Sequence, residues 1–133
     1  MRLYRSHTEL TTPPKNAVVT LGNFDGVHVG HKKLMGRISA HAKARGGESV
    51  VFTFRPHPVK VLAPHLAPPL ITSYEKKLEL LAATGVDVIV EEPFDAALAD
   101  MTPREFVEEV LVKGLSTSEI VIGYDFTFGR ARA

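Results

Sequence analysis

The sequence contains no cysteine, which excludes disulfide bonds and thiolate metal sites. It also has no excess of charge of one sign, because 16 basic and 15 acidic residues leave a net charge of +1. No overall electrostatic field therefore points to nucleic acid or anionic lipid as a partner. Residues 1–16 hold no apolar core of signal-peptide length, and no stretch approaches the length of a membrane span. We expect a cytoplasmic protein with no nucleic-acid partner and no membrane partner.

The hydrophobic content indicates one compact domain, since a chain of 133 residues that is 44% hydrophobic can bury a sizeable core. Apolar runs of strand type alternate with amphipathic segments of helical spacing. The predicted strands are 17–21, 49–54, 86–90 and 119–123, and the predicted helices are 29–45, 72–83 and 102–114. This order predicts an α/β fold with a mainly parallel sheet flanked by helices. Residues 1–16 and 59–70 are predicted to lie outside regular elements.

Several short segments predict where these elements begin and end. The segments 72–75 (Thr-Ser-Tyr-Glu) and 102–105 (Thr-Pro-Arg-Glu) have the spacing of capping boxes. The second also places proline at the first helical position, where its missing N–H costs nothing. The segment 91–93 (Glu-Glu-Pro) is expected to end the third strand.

A glycine-rich turn joins the first predicted strand to the first predicted helix. It contains Gly22, Gly26 and Gly30, with His28 and His31 between and after them. Such a turn presents unpaired N–H groups and the positive end of a helix dipole at the carboxyl edge of a sheet, where α/β proteins bind phosphates. A phosphate can keep a histidine, whose unperturbed pKa is about 6.5, in the cationic form. We interpret the turn as a nucleotide-phosphate site, although its spacing alone fits two surface histidines equally well.

Other sites suggested by this turn have less support in the sequence. Two histidines would need a further ligand to hold a metal ion, and the sequence identifies none. The glycine spacing matches neither a P-loop, since no Gly-Lys-Ser/Thr follows, nor the dinucleotide fingerprint.

Polar clusters follow three of the predicted strands, at 22–31, 55–58 and 124–130. In a parallel sheet the carboxyl ends of all strands lie at one edge. The sequence therefore predicts that these three clusters converge on one site.

The same three clusters carry a family resemblance. The segments 22–31 (Gly-Asn-Phe-Asp-Gly-Val-His-Val-Gly-His), 53–58 (Thr-Phe-Arg-Pro-His-Pro) and 123–129 (Gly-Tyr-Asp-Phe-Thr-Phe-Gly) resemble the N-terminal module of bacterial FAD synthetases. These are bifunctional riboflavin kinase/FMN adenylyltransferases of the HxGH nucleotidyltransferase group. The resemblance implies a Rossmann-like nucleotidyltransferase fold. It also implies transfer of an adenylyl group from ATP to FMN, with Mg²⁺, giving FAD and pyrophosphate.

The resemblance further implies roles for individual residues. His28 and His31 would contact the ATP phosphates and stabilise the charge that builds up during transfer. The ATP-binding residues would be Gly22, Asn23, Phe24, Gly30, Asp125, Gly129 and Arg130, and the flavin-binding residues would be Pro56, His57, Pro58 and Phe128. Ligands for the magnesium ion are not identified.

The family continues beyond the third motif into a further ATP-binding stretch and then a riboflavin kinase barrel. We therefore expect residues 1–133 to form an adenylyltransferase domain that is incomplete at its C-terminus, without the kinase. Two alternatives stay open: a module that binds ATP or FMN without turnover, and an adenylyltransferase for another phosphorylated metabolite.

Overall fold

Five parallel strands form the central sheet of the protein. The structure, a computed structural model, describes residues 2–10, 12–22, 24, 29–55, 73–115 and 117–122. The strands are β1 (Arg2–Tyr4), β2 (Ala17–Leu21), β3 (Ser49–Arg55), β4 (Val88–Pro93) and β5 (Thr117–Ile122). Their order across the sheet is β1-β4-β3-β2-β5, and every neighbouring pair is parallel. The prediction of an α/β fold with a mainly parallel sheet is confirmed.

Helices connect these strands. They are α1 (Val29–Ala44), α2 (Tyr74–Ala82), α3 (Ala96–Ala99), α4 (Pro103–Glu105) and α5 (Lys113–Leu115), with a 3₁₀ helix at His7–Glu9 and a π-helix at Phe106–Val112. The π-helix joins α4 directly to α5, so 103–115 is one continuous helical segment. Gly46, with a φ of +65°, follows α1 and adopts the left-handed conformation common after a helix end.

The core has two layers, one on each face of the sheet, because successive strand residues point to opposite faces. Within β2, Val19 belongs to one layer and Val18 to the other. The first layer packs the sheet against the segment 103–115 and includes Phe52, Phe54, Phe106, Leu111 and Leu115. The second packs the sheet against α1 and α2 and includes Met35, Ile38, Leu78, Leu81 and Ile89. Both faces of β3 are therefore covered, as its almost unbroken apolar sequence indicates.

Helix starts were predicted with mixed success. The capping box at 102–105 is present, with the Thr102 hydroxyl accepting from the Glu105 amide and the Glu105 carboxylate accepting from the Thr102 amide. The prediction for 72–75 is wrong by one residue, because Ser73 caps α2 by accepting from the Lys76 amide. Glu75 then lies at the second helical position instead of the third, so it cannot complete the predicted box.

Two predictions about strands are wrong. Residues 2–4 form the edge strand β1, paired with Val88 to Val90 of β4, where no element was expected. Glu91 and Glu92 continue β4 instead of ending it, and both are buried. The two errors have one cause, since the N-terminal segment supplies the partners of these carboxylates.

The contacts of that N-terminal segment explain how two acidic residues fit in a buried strand. The Arg5 guanidinium donates to Glu91 Oε1. Glu92 accepts from the His7 amide at 2.7 Å and from the Ser6 hydroxyl at 3.1 Å, and the His7 ring nitrogen Nδ1 lies 2.8 Å from the same carboxylate. Buried carboxylates are tolerated when they are paired in this way.

Candidate functional site

The carboxyl ends of β3, β2 and β5 lie side by side at one edge of the sheet. Leu21, the last residue of β2, is in register with Phe52 of β3 on one side and with Ile122 of β5 on the other. The three predicted polar clusters follow these three strands in the sequence. From β2 the chain proceeds to β3 and β4 in one direction and then crosses to β5 on the far side of β2. A parallel sheet binds its ligands at such a reversal of strand order, at the carboxyl edge.

Gly22 and Phe24 begin the turn after β2. The Gly22 amide donates to the Phe52 carbonyl at 3.1 Å, which continues the pairing of β2 with β3 by one residue. Phe24 has a φ of +52°, in the left-handed region that a bulky residue seldom adopts. Its ring is nevertheless buried in the layer that contains Val18, Met35 and Ile38. The turn is therefore fixed to the core through the Phe24 side chain.

Gly30 and His31 lie in the first turn of α1. Gly30 is exposed and His31 is half-buried. The His31 ring meets the Phe24 ring edge to face, with ring centroids 5.0 Å apart and an interplanar angle of 88°. An imidazole in this position lies at the positive end of the α1 dipole, which favours a negatively charged ligand.

A second polar group lies at the same edge, where β3 ends and α2 begins. The Arg55 guanidinium carbon lies 4.8 Å from the centroid of the Tyr74 ring, and the Lys77 ammonium nitrogen lies 5.4 Å from it. Lys77 is buried and donates to the Thr53 hydroxyl at 2.9 Å and to the Phe54 carbonyl at 3.4 Å. The sequence had pointed to Arg55 as part of a polar cluster but gave no sign of Tyr74 or Lys77. The signal that was available is their spacing, one and four residues past the Ser73 cap, which places them one helical turn apart on α2.

Two carboxylates lie close to the Arg55 guanidinium of this second group. The Arg55 guanidinium pairs with Glu75 at 3.2 Å and lies 3.9 Å from Glu91 Oε1. A hydrogen bond from its own backbone amide, followed by the Arg55 charge, lowers the pKa of Glu75. Among the residues that the structure describes, Glu91 Oε2 has no hydrogen-bond partner, although the residue is almost fully buried.

The structure thus brings together four of the residues that the resemblance implies: Gly22, Phe24, Gly30 and His31. Gly22 and Phe24 lie in the turn that follows β2, Gly30 and His31 lie in the first turn of α1, and the Phe24 and His31 rings are in contact. The remaining predicted site residues lie outside the described residues; they are Asn23, His28, Pro56, His57, Pro58, Asp125, Phe128, Gly129 and Arg130. Their roles stay predictions.

The described residues hold neither a metal cluster nor a membrane-spanning helix. They contain no group of three or more histidine, aspartate or glutamate side chains arranged to hold a metal ion. None of their helices combines the length and apolar character needed to cross a bilayer.

A parallel sheet with this strand order, with helices on both faces and a glycine- and histidine-containing turn at its carboxyl edge, defines an α/β protein of nucleotidyltransferase type. Comparison with known families narrows this class. The sequence model of the FAD synthetase family matches residues 10–133, and the chain belongs to that family.

Named relatives agree with this assignment. The chain is 36% identical, over 99% of its own length, to the bifunctional riboflavin kinase/FMN adenylyltransferase of Escherichia coli (strain K12). It is also 36% identical, over 86% of its length, to the Bacillus subtilis (strain 168) protein with the same description. The chain spans 42% and 36% of the length of these two relatives.

A solved structure shows the same fold. A crystal structure described as that of a macrolide-efflux protein from Streptococcus pneumoniae superposes with a TM-score of 0.81 and 28% sequence identity. The match covers 99% of this chain and 44% of that one. The similarity extends over the whole sheet and its flanking helices.

Proposed function

We propose that this chain carries the FMN adenylyltransferase activity of its family, transferring an adenylyl group from ATP to FMN with release of pyrophosphate. The proposal rests on family membership together with one observation. The turn between β2 and α1, which contains Gly22 and His31, lies where the strand order reverses at the carboxyl edge. Of the two activities in the relatives' names, we assign only this one to residues 10–133.

The reaction asks for positioning and charge stabilisation, not for a covalent intermediate on the protein. An oxygen of the FMN phosphate attacks the α-phosphorus of ATP, the bond from that phosphorus to the bridging oxygen breaks, and pyrophosphate leaves with the bond electrons. The positive end of the α1 dipole would attract the ATP phosphates. His31, together with His28 by family resemblance, would donate hydrogen bonds to the oxygens on which negative charge accumulates.

Mg²⁺ is part of this proposal as a companion of ATP. Magnesium in nucleotide sites is bound largely by substrate phosphates and water, with only one or two protein carboxylates. Such a site needs no cluster of three protein ligands, so the absence of one among the described residues does not conflict with the proposal. When bound, the ion would neutralise phosphate charge.

The acceptor subsite would lie on the β3 side of this edge. Arg55 ends β3 directly before the predicted flavin-binding segment 56–58, and Tyr74 lies beside it. The Arg55 side chain is 41% exposed, and its guanidinium is the group there that suits the phosphate of an acceptor.

The test is to incubate the chain with ATP, FMN and Mg²⁺ and to measure FAD and pyrophosphate by chromatography. We expect equal amounts of the two products with FMN. We expect none with riboflavin, which lacks the attacking phosphate. Binding of ATP and FMN by calorimetry without pyrophosphate release would favour the binding-module alternative. Product formation with a phosphorylated metabolite that has no flavin ring, in preference to FMN, would favour the other acceptor.

A further inference from the structure

Phe24 combines an unfavourable backbone conformation with a buried ring. Its φ of +52° lies in the left-handed region, yet its side chain is only 4% exposed. A bulky residue stays in this conformation only when its surroundings hold it there, and such residues concentrate at functional sites. The burial of the ring in the layer with Met35 and Ile38 supplies that support.

The absence of a side chain at position 22 makes room for this ring. A Cβ atom placed on Gly22 would lie 2.8 Å from Cζ of Phe24 and 3.0 Å from its Cε1. Real Cβ atoms do not approach other carbons this closely, and a ring packed in the core cannot swing aside as an exposed chain can. Gly22 and Phe24 are therefore matched to each other.

The ring also reaches the imidazole of the site. Phe24 meets His31 edge to face, at a centroid distance of 5.0 Å. We propose that Phe24 is a positioning residue for His31, held against it by the space that Gly22 leaves. The family resemblance assigns Phe24 to the ATP site, and in this proposal the ring acts there through the histidine and not through contact with the nucleotide.

The role of Phe24 would be to fix the orientation of the half-buried His31 ring. His31 belongs to the first turn of α1, and its ring could take other rotamers that turn its N–H groups away from the phosphates. An aromatic partner at right angles restricts these rotamers. Since a donor misplaced by about 1 Å can cost roughly a hundredfold in rate, restriction of the ring matters most in the transition state.

This inference rests on the proposed function for its kinetic readout, so its test includes readouts that need no turnover. The variants are Phe24→Leu, Gly22→Ala, the double variant, and Phe24→Leu combined with His31→Ala. Phe24→Met serves as a second substitution of similar volume if the leucine variant does not fold. Ile38→Val is the matched control, since it trims the same core layer from a position not assigned to the site.

The measurements are kcat and KM for FAD formation, the Kd of ATP by calorimetry, and the NMR signals of the His31 ring. We expect Phe24→Leu to lower kcat by about ten- to a hundredfold, more than it raises KM. It should also remove the ring-current shift of the His31 protons. In the His31→Ala background the same change should have almost no further effect on kcat or on the Kd of ATP. Gly22→Ala should be less harmful when leucine replaces Phe24, because the smaller side chain makes room for the new methyl group.

Equal effects of Phe24→Leu with and without His31, or unchanged His31 signals, would overturn the positioning role. A purely structural effect would be shared by Ile38→Val and would not depend on His31. If the wild-type chain forms no FAD, the proposed function fails, while the coupling in ATP affinity and the NMR signals still decide the role of Phe24.

Discussion

His31→Ala gives the most direct test of the site. The imidazole lies in the first turn of α1, half-buried and in contact with the Phe24 ring, so it would donate from a partly desolvated position. A preorganised donor of this kind contributes about 3 kcal/mol to the transition state. Each 1.4 kcal/mol corresponds to about tenfold in rate, so we expect kcat for FAD formation to fall by roughly a hundredfold or more.

The same substitution should leave the protein folded. It removes one edge-to-face ring contact, worth about 1 kcal/mol, from a domain whose stability is typically about 5–15 kcal/mol. Circular dichroism and thermal unfolding should therefore show a native fold with a slightly lower midpoint. The rate loss would then be due to the missing donor and not to a smaller folded fraction.

His41→Ala is the matched control, since it removes the same side chain from the same helix. His41 lies near the other end of α1, and its Nδ1 is 2.6 Å from a carboxylate oxygen of Glu119. We expect this variant to retain wild-type kcat and KM. If His31→Ala also retained them, or if both variants lost activity equally, the assignment of His31 to charge stabilisation would be refuted.

Three further predictions concern stability, each measured by denaturant or thermal unfolding. Thr102→Ala removes the hydroxyl of a complete capping box and should destabilise the protein by about 1 kcal/mol, and an unchanged midpoint would contradict this. The Thr20 hydroxyl is buried and has no hydrogen-bond partner among the described residues, so Thr20→Val should stabilise by about 1 kcal/mol. A loss of stability would instead reveal a partner for this hydroxyl. A hydrogen bond from His41, followed by the Arg45 charge, lowers the pKa of Glu119 below its ordinary 4.5. Its carboxylate therefore stabilises the fold above about pH 4.5, and this contribution is lost as pH falls through the lowered pKa. Glu119→Gln should weaken that part of the pH dependence, and an identical acid profile would refute the ion pair.

The sequence predicted the elements that local chemistry specifies. The strand at 17–21 and the buried strand beginning at Ser49 have apolar runs of the right length, and α1 has regular apolar spacing ending at two glycines. The capping box at 102–105 was predicted because all of its determinants lie within four residues. The π geometry of 106–112 was not predictable, because the same apolar spacing also fits an α-helix.

The features that could not be predicted from the sequence depend on contacts between distant residues. β1 is only three residues long, too short for a local pattern to indicate a strand, and it is stable as a strand only because β4 lies beside it. From the sequence alone, Glu91 and Glu92 indicate the end of a strand, because their pairing with Arg5 and His7 cannot be seen there. These partners are more than eighty positions away in the sequence, beyond the reach of any local pattern.

The candidate site also has some features that local sequence indicates and others that depend on three-dimensional packing. Residue types and spacing pointed to the turn from Gly22 to His31 but left two surface histidines as an equal alternative, and the roles of its residues came from the family resemblance. The packing of Phe24 between Gly22 and His31 depends on the direction in which a left-handed residue points its ring. No periodicity argument provides that direction.

The pairing of β1 with β4 has a consequence for how the protein is made. The first strand leaves the ribosome before all others, but its hydrogen-bonding partner, which begins at Val88, is synthesised much later. Until then β1 has no partner strand in the sheet, and Glu91 and Glu92 receive their cationic and polar partners only when the segment that contains β1 docks. A substitution that weakens β1 would therefore interfere with a late step of assembly at the sheet margin, whereas the pairing of β2 with β3 can form without it.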